Sequence, residues 1–153
     1  MFYFLLSLHS LVRWLVLFSL LFSLYTALKG LARKGAFTAM ANAARHWTAT
    51  IAHIQMMIGI TIYFQSPVVK SMVSNEGHAI ISNRSFFRYL HISLMFLAIV
   101  LITIGSAKAK RMDTDKEKYG TTTKWFGAAL VLILLAIPWP FYEHISRPLI
   151  RNF

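Results

Sequence analysis

Three histidines and one arginine stand inside apolar stretches of this 153-residue chain: His9, Arg13, His53 and His91. An imidazole in that setting can ligate a metal or hydrogen-bond to a neighbouring helix. A guanidinium there needs an anion or a set of carbonyls. His9 and Arg13 are four residues apart in His9-Ser10-Leu11-Val12-Arg13-Trp14, so a helix stacks them on one face. An arginine in hydrocarbon costs from about 3 to about 17 kcal/mol depending on how far it snorkels, and something must offset that cost. The acids of the chain are Glu76, Asp113, Asp115, Glu117 and Glu143, none of them inside an apolar run. The counter-charge of Arg13 is therefore sought in Glu143 at a deformed helix end, in backbone carbonyls, in lipid, in a neighbouring subunit or in a bound anion. Outward snorkelling of Arg13 to water is the simpler outcome.

The elements that must position these residues are apolar runs of about 20 residues or more, the length that crosses a bilayer core of about 30 Å. They are expected over residues 2–28, 46–65, 86–107 and 122–142, in a chain that is 57% hydrophobic, and basic loops separate them. This predicts an all-α integral membrane four-helix bundle forming one domain. Residues 2–28 lack a basic leading segment and a small-residue cleavage site, and read as a retained helix rather than a signal peptide. Lys29-Gly30, Ser66-Pro67 and Pro138 are the expected helix stops. Gly35, Ala39 and Ala43 form a small-residue stripe that suits close helix approach, and Ser74-Asn75-Glu76-Gly77 is a turn signal. The charged residues from Lys108 to Lys118 read as a solvated loop.

The loops after the first and third runs carry ten Lys and Arg, counting Lys124 at the start of the fourth run, against five for Lys70, Arg84, Arg88, Arg147 and Arg151 on the other side. The positive-inside rule then places both termini on the non-cytoplasmic side. A net charge of +11 raises the question of nucleic acid, but no readout module is present, and anionic lipid is the better partner for these loops. The absence of cysteine excludes disulfides, thiolate iron–sulfur ligation and covalent c-type haem attachment. No paired carboxylates, activated nucleophile, zinc-type cluster or phosphate-cradling loop occurs in a fitting context, which argues against an independent enzyme.

Measured inward from the non-cytoplasmic ends at 1.5 Å per residue, His9 lies about 10 Å deep, His91 about 8 Å and His53 about 18 Å. Similar depth on different helices is what two axial ligands of one haem require, so His9 and His91 are the candidate metal ligands. Arg13 and Arg88 are candidate partners for the propionates, and His53 is a candidate cofactor-binding or alternate ligand. Met57 and Met95 read as core filler. The plainer reading of each histidine is an interhelical hydrogen bond, and that of Arg84 and Arg88 an interfacial anchor. His46, His78 and His144 fall at or beyond the membrane edges and receive no site role.

Taken together, His9-Ser10-x-x-Arg13-Trp14, Ala52-His53-x-Gln55 with Gly59 and Tyr63-Phe64, His91 with Ile102-Thr103-Ile104-Gly105, and Ile137-Pro138-Trp139-Pro140-Phe141 form a pattern over nearly the whole chain. In this the chain resembles the short bacterial four-span membrane proteins commonly labelled "cytochrome B". In those relatives an acidic residue tends to precede the third-helix histidine, where this chain has Leu90. The resemblance implies a b-type haem and a multi-pass protein of the bacterial inner (cytoplasmic) membrane. The leading expectation is a small b-type cytochrome-like electron-transfer subunit working beside other membrane subunits. The alternatives are a haem-free accessory subunit of a larger complex, or a quinone or lipid pocket lined by Arg13, His53 and Trp14.

Overall fold

The computed structural model describes residues 1–70, 82–141, 145, 147 and 148. Long helices dominate, and among the described residues no strand occurs. Helix α1 spans Phe2–Arg33 and α2 Ala39–Gln65; the short turns α3 (Pro67–Lys70) and α4 (Asn83–Ser85) follow, then a π-helical turn over Phe86–Leu90, α5 over His91–Arg111 and α6 over Asp115–Ala136. Around the bundle α1 packs on α2 and α6, and α5 packs on α6 and α2, so α1 and α5 face each other across the diagonal. Three stretches, Phe2–Arg33, Asn83–Arg111 and Asp115–Ala136, are long and apolar enough to cross a membrane. Helix α2 has the length but carries Asn42, Arg45, His46, Thr48, His53 and Gln55, and falls below that apolarity.

The outer faces carry large apolar side chains and the inner faces carry small and polar ones. Phe18, Phe96, Val131 and Leu135 are more than half exposed, while Ser7, Ser10, Ser23, Thr48, Ser106 and Thr122 are buried. Small residues and hydroxyls between helices with hydrocarbon outside is the distribution that a bilayer favours. The central core is Leu20, Ala52, Ala98, Ile102, Phe126, Ala129 and Ile133.

Helix ends depart from the sequence expectation for local reasons. Helix α1 runs past Gly30, because Gly30 is where the Tyr119 ring lies against the backbone, in space that a Cβ would occupy. It stops instead at Lys34, whose left-handed backbone (φ 50°) lets Gly35 N–H reach the Gly30 carbonyl at 3.3 Å. Helix α2 starts at Ala39 because the Thr38 hydroxyl caps Ala41 N–H at 3.1 Å. The charge run expected as a loop is mostly helical. Thr114 and Glu117 form a reciprocal capping box that starts α6 at Asp115. The expected stripe of Gly35, Ala39 and Ala43 is exposed, and Ala41, Arg45, Thr48 and Ala52 face inward. The turn over 74–77 and residues His78, Glu143, His144 and Arg151 lie outside the described residues.

Polar clamps close the end of the bundle that holds the α1–α2 and α5–α6 connections. Arg45, 5% exposed, donates to the Ser106 carbonyl at 2.7 Å, to Ser106 Oγ at 2.5 Å and to Asn42 Oδ1 at 2.6 Å. The Tyr119 hydroxyl donates to the Ala36 carbonyl at 2.9 Å and accepts from Thr38 N–H at 3.3 Å. Nearer mid-bundle, Thr48 Oγ1 donates to the Ser19 carbonyl at 2.9 Å and lies 3.0 Å from Ser23 Oγ.

Gly105 of α5 sits against the Trp125 side chain of α6, where a Cβ would collide with it, whereas a Cβ on Gly120 meets nothing within 4 Å. Gly105→Val is expected to force these helices apart and lower stability by about 1–3 kcal/mol. Gly120→Ala, in a helix interior with free space, is expected to raise it by about 0.5–1 kcal/mol. Thermal unfolding of the detergent-solubilised protein checks both signs.

Candidate functional site

At the opposite end the four long helices diverge around a cavity of about 450 Å³. It is bordered by the first turns of α1 and α5, the last turns of α2 and the Ile137-Pro138 segment that follows α6, so consecutive long helices run antiparallel. Its walls are mainly apolar, from Met56, Ile60, Phe87, Met95, Ile99 and Ile137. That size lies within the usual range for a small-molecule site.

His9 and His91 reach this cavity from the diagonal helices α1 and α5, with ring centroids 6.5 Å apart and planes inclined at 66°. His91 is fixed by a hydrogen bond of 2.8 Å between Nδ1 and the Ala136 carbonyl. A carbonyl only accepts, so Nδ1 carries the proton and Nε2 keeps its lone pair. The Ala136 carbonyl is available because four residues on, where α6 would supply its donor, stands Pro140. The same device acts two residues earlier. Pro138 removes the donor for the Leu134 carbonyl, and the Trp139 indole N–H takes its place at 2.9 Å.

Helix α2 holds His9 from the other side. Gln55 Nε2 donates to the His9 carbonyl at 2.9 Å. One turn on, Gly59 presents bare backbone to the ring, and a Cβ there would stand 3.1 Å from His9 Cε1. Two buried atoms at this junction, His9 Nδ1 and Gln55 Oε1, have no hydrogen-bond partner among the described residues. Ser10, the next residue, and Arg13, one helical turn further in, also border the cavity. The half-buried Arg13 lies 3.4 Å from Ser10 Oγ and 5.5 Å from the Trp14 ring centroid. A second guanidinium, that of Arg147, borders the cavity from the tail; it donates to Asn83 Oδ1 at 2.7 Å and lies 4.8 Å over the Phe87 ring.

Of the residues singled out in the sequence, His9, His91 and Arg13 are brought together. His53 is not. Its Nε2 pairs with Thr103 Oγ1 of α5 at 3.0 Å, outside the cavity wall. Arg88 borders a separate groove with Tyr63, Phe64, Val69, Lys70 and Arg84. Trp14 packs against the core, and among the methionines of α2 it is Met56 that faces the cavity, with Met57 61% exposed. Gln55 and Gly59 were visible in the sequence only as members of a pattern; their four-residue spacing is the signal of a shared face. Arg147 lies beyond the last apolar run and carried no such signal.

Neither a known family model, nor a characterised protein, nor a solved structure is significantly similar to this chain.

The contact between Gly59 and the His9 ring can be measured as a coupling. Gly59→Val is expected to cost about 1–3 kcal/mol by driving the ring off its position. In a His9→Ala background most of that cost should vanish, because the colliding ring is gone. Equal costs in the two backgrounds, read by thermal unfolding, would place the valine against something else.

Proposed function

We propose that this protein is a small b-type cytochrome subunit, a multi-pass protein of a bacterial inner membrane that holds one haem b between His9 and His91. The observation that carries the reading is the pair of imidazoles converging from diagonal helices on one apolar cavity, with centroids 6.5 Å apart. At that separation His9 and His91 are near enough to hold one metal centre together, and these two residues would be its protein ligands. The donor set also fits, since a haem needs only two protein ligands and two imidazoles border the cavity.

Each neighbouring residue has a definable part. The Ala136 carbonyl holds His91 in the tautomer that offers Nε2, and such a hydrogen bond raises ligand basicity. Gln55 and Gly59 set the height and orientation of His9. Phe87, Met95, Ile99 and Ile137 keep water away, which with ligand type sets a redox potential. Arg13 and Arg147 border the same cavity and supply positive charge for the acid side chains of the ring. Bound there, the haem would supply one-electron transfer, and the chain would supply ligation, orientation and a dry surrounding. Helix α2 is read as the fourth crossing segment, its mid-helix polar residues Thr48, His53 and Gln55 paired with α1 and α5, which puts the cavity in the non-cytoplasmic half at the end where α1 begins.

Protein purified in mild detergent is expected to show a Soret band and a sharp reduced-minus-oxidised α band. His9→Ala and His91→Ala should each abolish the α band, while His53→Ala should retain it, since His53 pairs with Thr103. A colourless preparation would overturn the assignment, and one that also co-purifies stoichiometrically with another membrane polypeptide would identify an accessory subunit instead.

The topology is checked separately with reporters at each end. An alkaline phosphatase fusion is expected to be active at both termini and a green fluorescent protein fusion dark at both. The opposite pattern would invert the bundle.

A further inference from the structure

Beside the histidine cavity lies a second depression that its chemistry does not use. It has a volume of about 500 Å³ and is bordered by Tyr63 and Phe64 from the end of α2, Val69 and Lys70 from α3, and Arg84 and Arg88 from α4 and the π-helical turn. Lys70 of α3 thus meets Arg84 and Arg88, four residues apart on the continuous Asn83–Arg111 stretch, at one groove, and no carboxylate among the described residues borders it. Lysine and arginine side chains gathered in this way set up a positive local potential that draws an anion.

The backbone around Arg88 is arranged to hold it there. The π-helical turn over Phe86–Leu90 widens the helix by one residue, and such turns recur at functional positions. Tyr63, which borders the groove, donates its hydroxyl to the Arg88 carbonyl at 3.3 Å and so ties the turn to α2. The Arg88 guanidinium lies 5.5 Å over the Tyr89 ring.

Position in the bundle selects the kind of anion. The groove sits where α2 ends, at Gln65, which in a membrane-crossing bundle is headgroup level. Its outer wall is Phe64, 68% exposed and continuous with the apolar outer face of the helices. Cations on the aqueous side and an exposed aromatic ring on the hydrocarbon side match a molecule with a phosphate above and acyl chains below. We infer that Lys70, Arg84 and Arg88 form a binding site for the phosphate of an anionic phospholipid, with Phe64 against its acyl chain. Arginine favours this ligand, since its planar fork meets phosphate oxygens in pairs. The inference rests on the membrane-crossing reading of the bundle and not on the occupant of the histidine cavity.

The full-length protein, delipidated in detergent, is titrated with phosphatidylglycerol and with phosphatidylcholine of the same acyl chains, and bound lipid is counted by native mass spectrometry. Phosphatidylglycerol is expected to bind at least about tenfold more tightly. Each cation removed should cost about fivefold in that affinity, so Arg84→Gln/Arg88→Gln should lose about 25-fold while phosphatidylcholine binding is unchanged. Should that double variant fail to fold, Lys70→Gln reads the same site with the single fivefold loss.

Three results would overturn the inference. An equal loss from Lys34→Gln/Lys110→Gln, at the other end of the bundle, would mean diffuse charge rather than a site. Full displacement of lipid by millimolar inorganic phosphate would assign the groove to a soluble oxyanion. A groove variant that loses haem absorbance while keeping phosphatidylglycerol would assign these cations to the cofactor's own carboxylates.

Discussion

Inside a helical bundle in hydrocarbon every main-chain carbonyl needs a donor, and that constraint is what sets the histidine site. The segment Ile137-Pro138-Trp139-Pro140 withholds two of those donors at the end of α6. The carbonyls so released, at Leu134 and Ala136, are taken by an indole and an imidazole. One of these bonds is local and pins Trp139 against its own helix. The other crosses to α5 and fixes His91 in rotation and in protonation state. The lone pair kept on His91 Nε2 is thus owed to one proline, Pro140, placed more than forty residues downstream, with no acidic partner among the described residues.

The two ends of the bundle are built for different tasks. Where the connecting segments lie, Arg45 spans α2 and α5 through neutral oxygens, among them a carbonyl in the last turns of α5, where the helix dipole favours a cation. Tyr119 ties α6 to the α1–α2 connection, and two glycines, Gly30 and Gly105, let aromatic rings of α6 lie on neighbouring backbones. Close contact there spaces the helices and holds them in register. At the other end the tie between α2 and the turn that opens α5 is the longer Tyr63–Arg88 bond, at 3.3 Å, and a space between these helices is walled by Met56, Ile60, Met95 and Ile99. His9, Arg13, Gln55 and His91, which reach this space, all project from helices whose far ends are locked.

Much of this could be read from the sequence, and the misreadings have physical causes. Apolar run length gives the long helices, and counting residues inward from their ends places His9 and His91 at one depth. Depth does not give rotation, however. His53 lies on the face of α2 that meets Thr103. Gln55 and Gly59, on the adjacent face, are the residues that meet His9. Arg88 stood one turn before His91 on the assumption of a regular α-helix. The π-helical turn adds a residue to that turn, and Arg88 swings to the outer groove. Gly30 looked like a helix stop because glycine is a weak helix former, and its use here is for space, which only the position of Tyr119 reveals.

The same π-helical turn bears on Leu90. An acidic side chain at that position would seem the natural partner for Arg13, being next to His91 in sequence. Leu90 is 38% exposed and does not border the cavity, since the widened turn points it outward. A carboxylate placed there on this backbone would face the outer surface, away from the guanidinium. On the inner face Arg13 donates to Ser10 Oγ at 3.4 Å and borders the cavity, which the Arg147 guanidinium borders as well. Two cations on one cavity attract an anion-bearing occupant more strongly than one cation paired with its own acid would. Leucine at position 90 keeps the outer face apolar at no cost to that field.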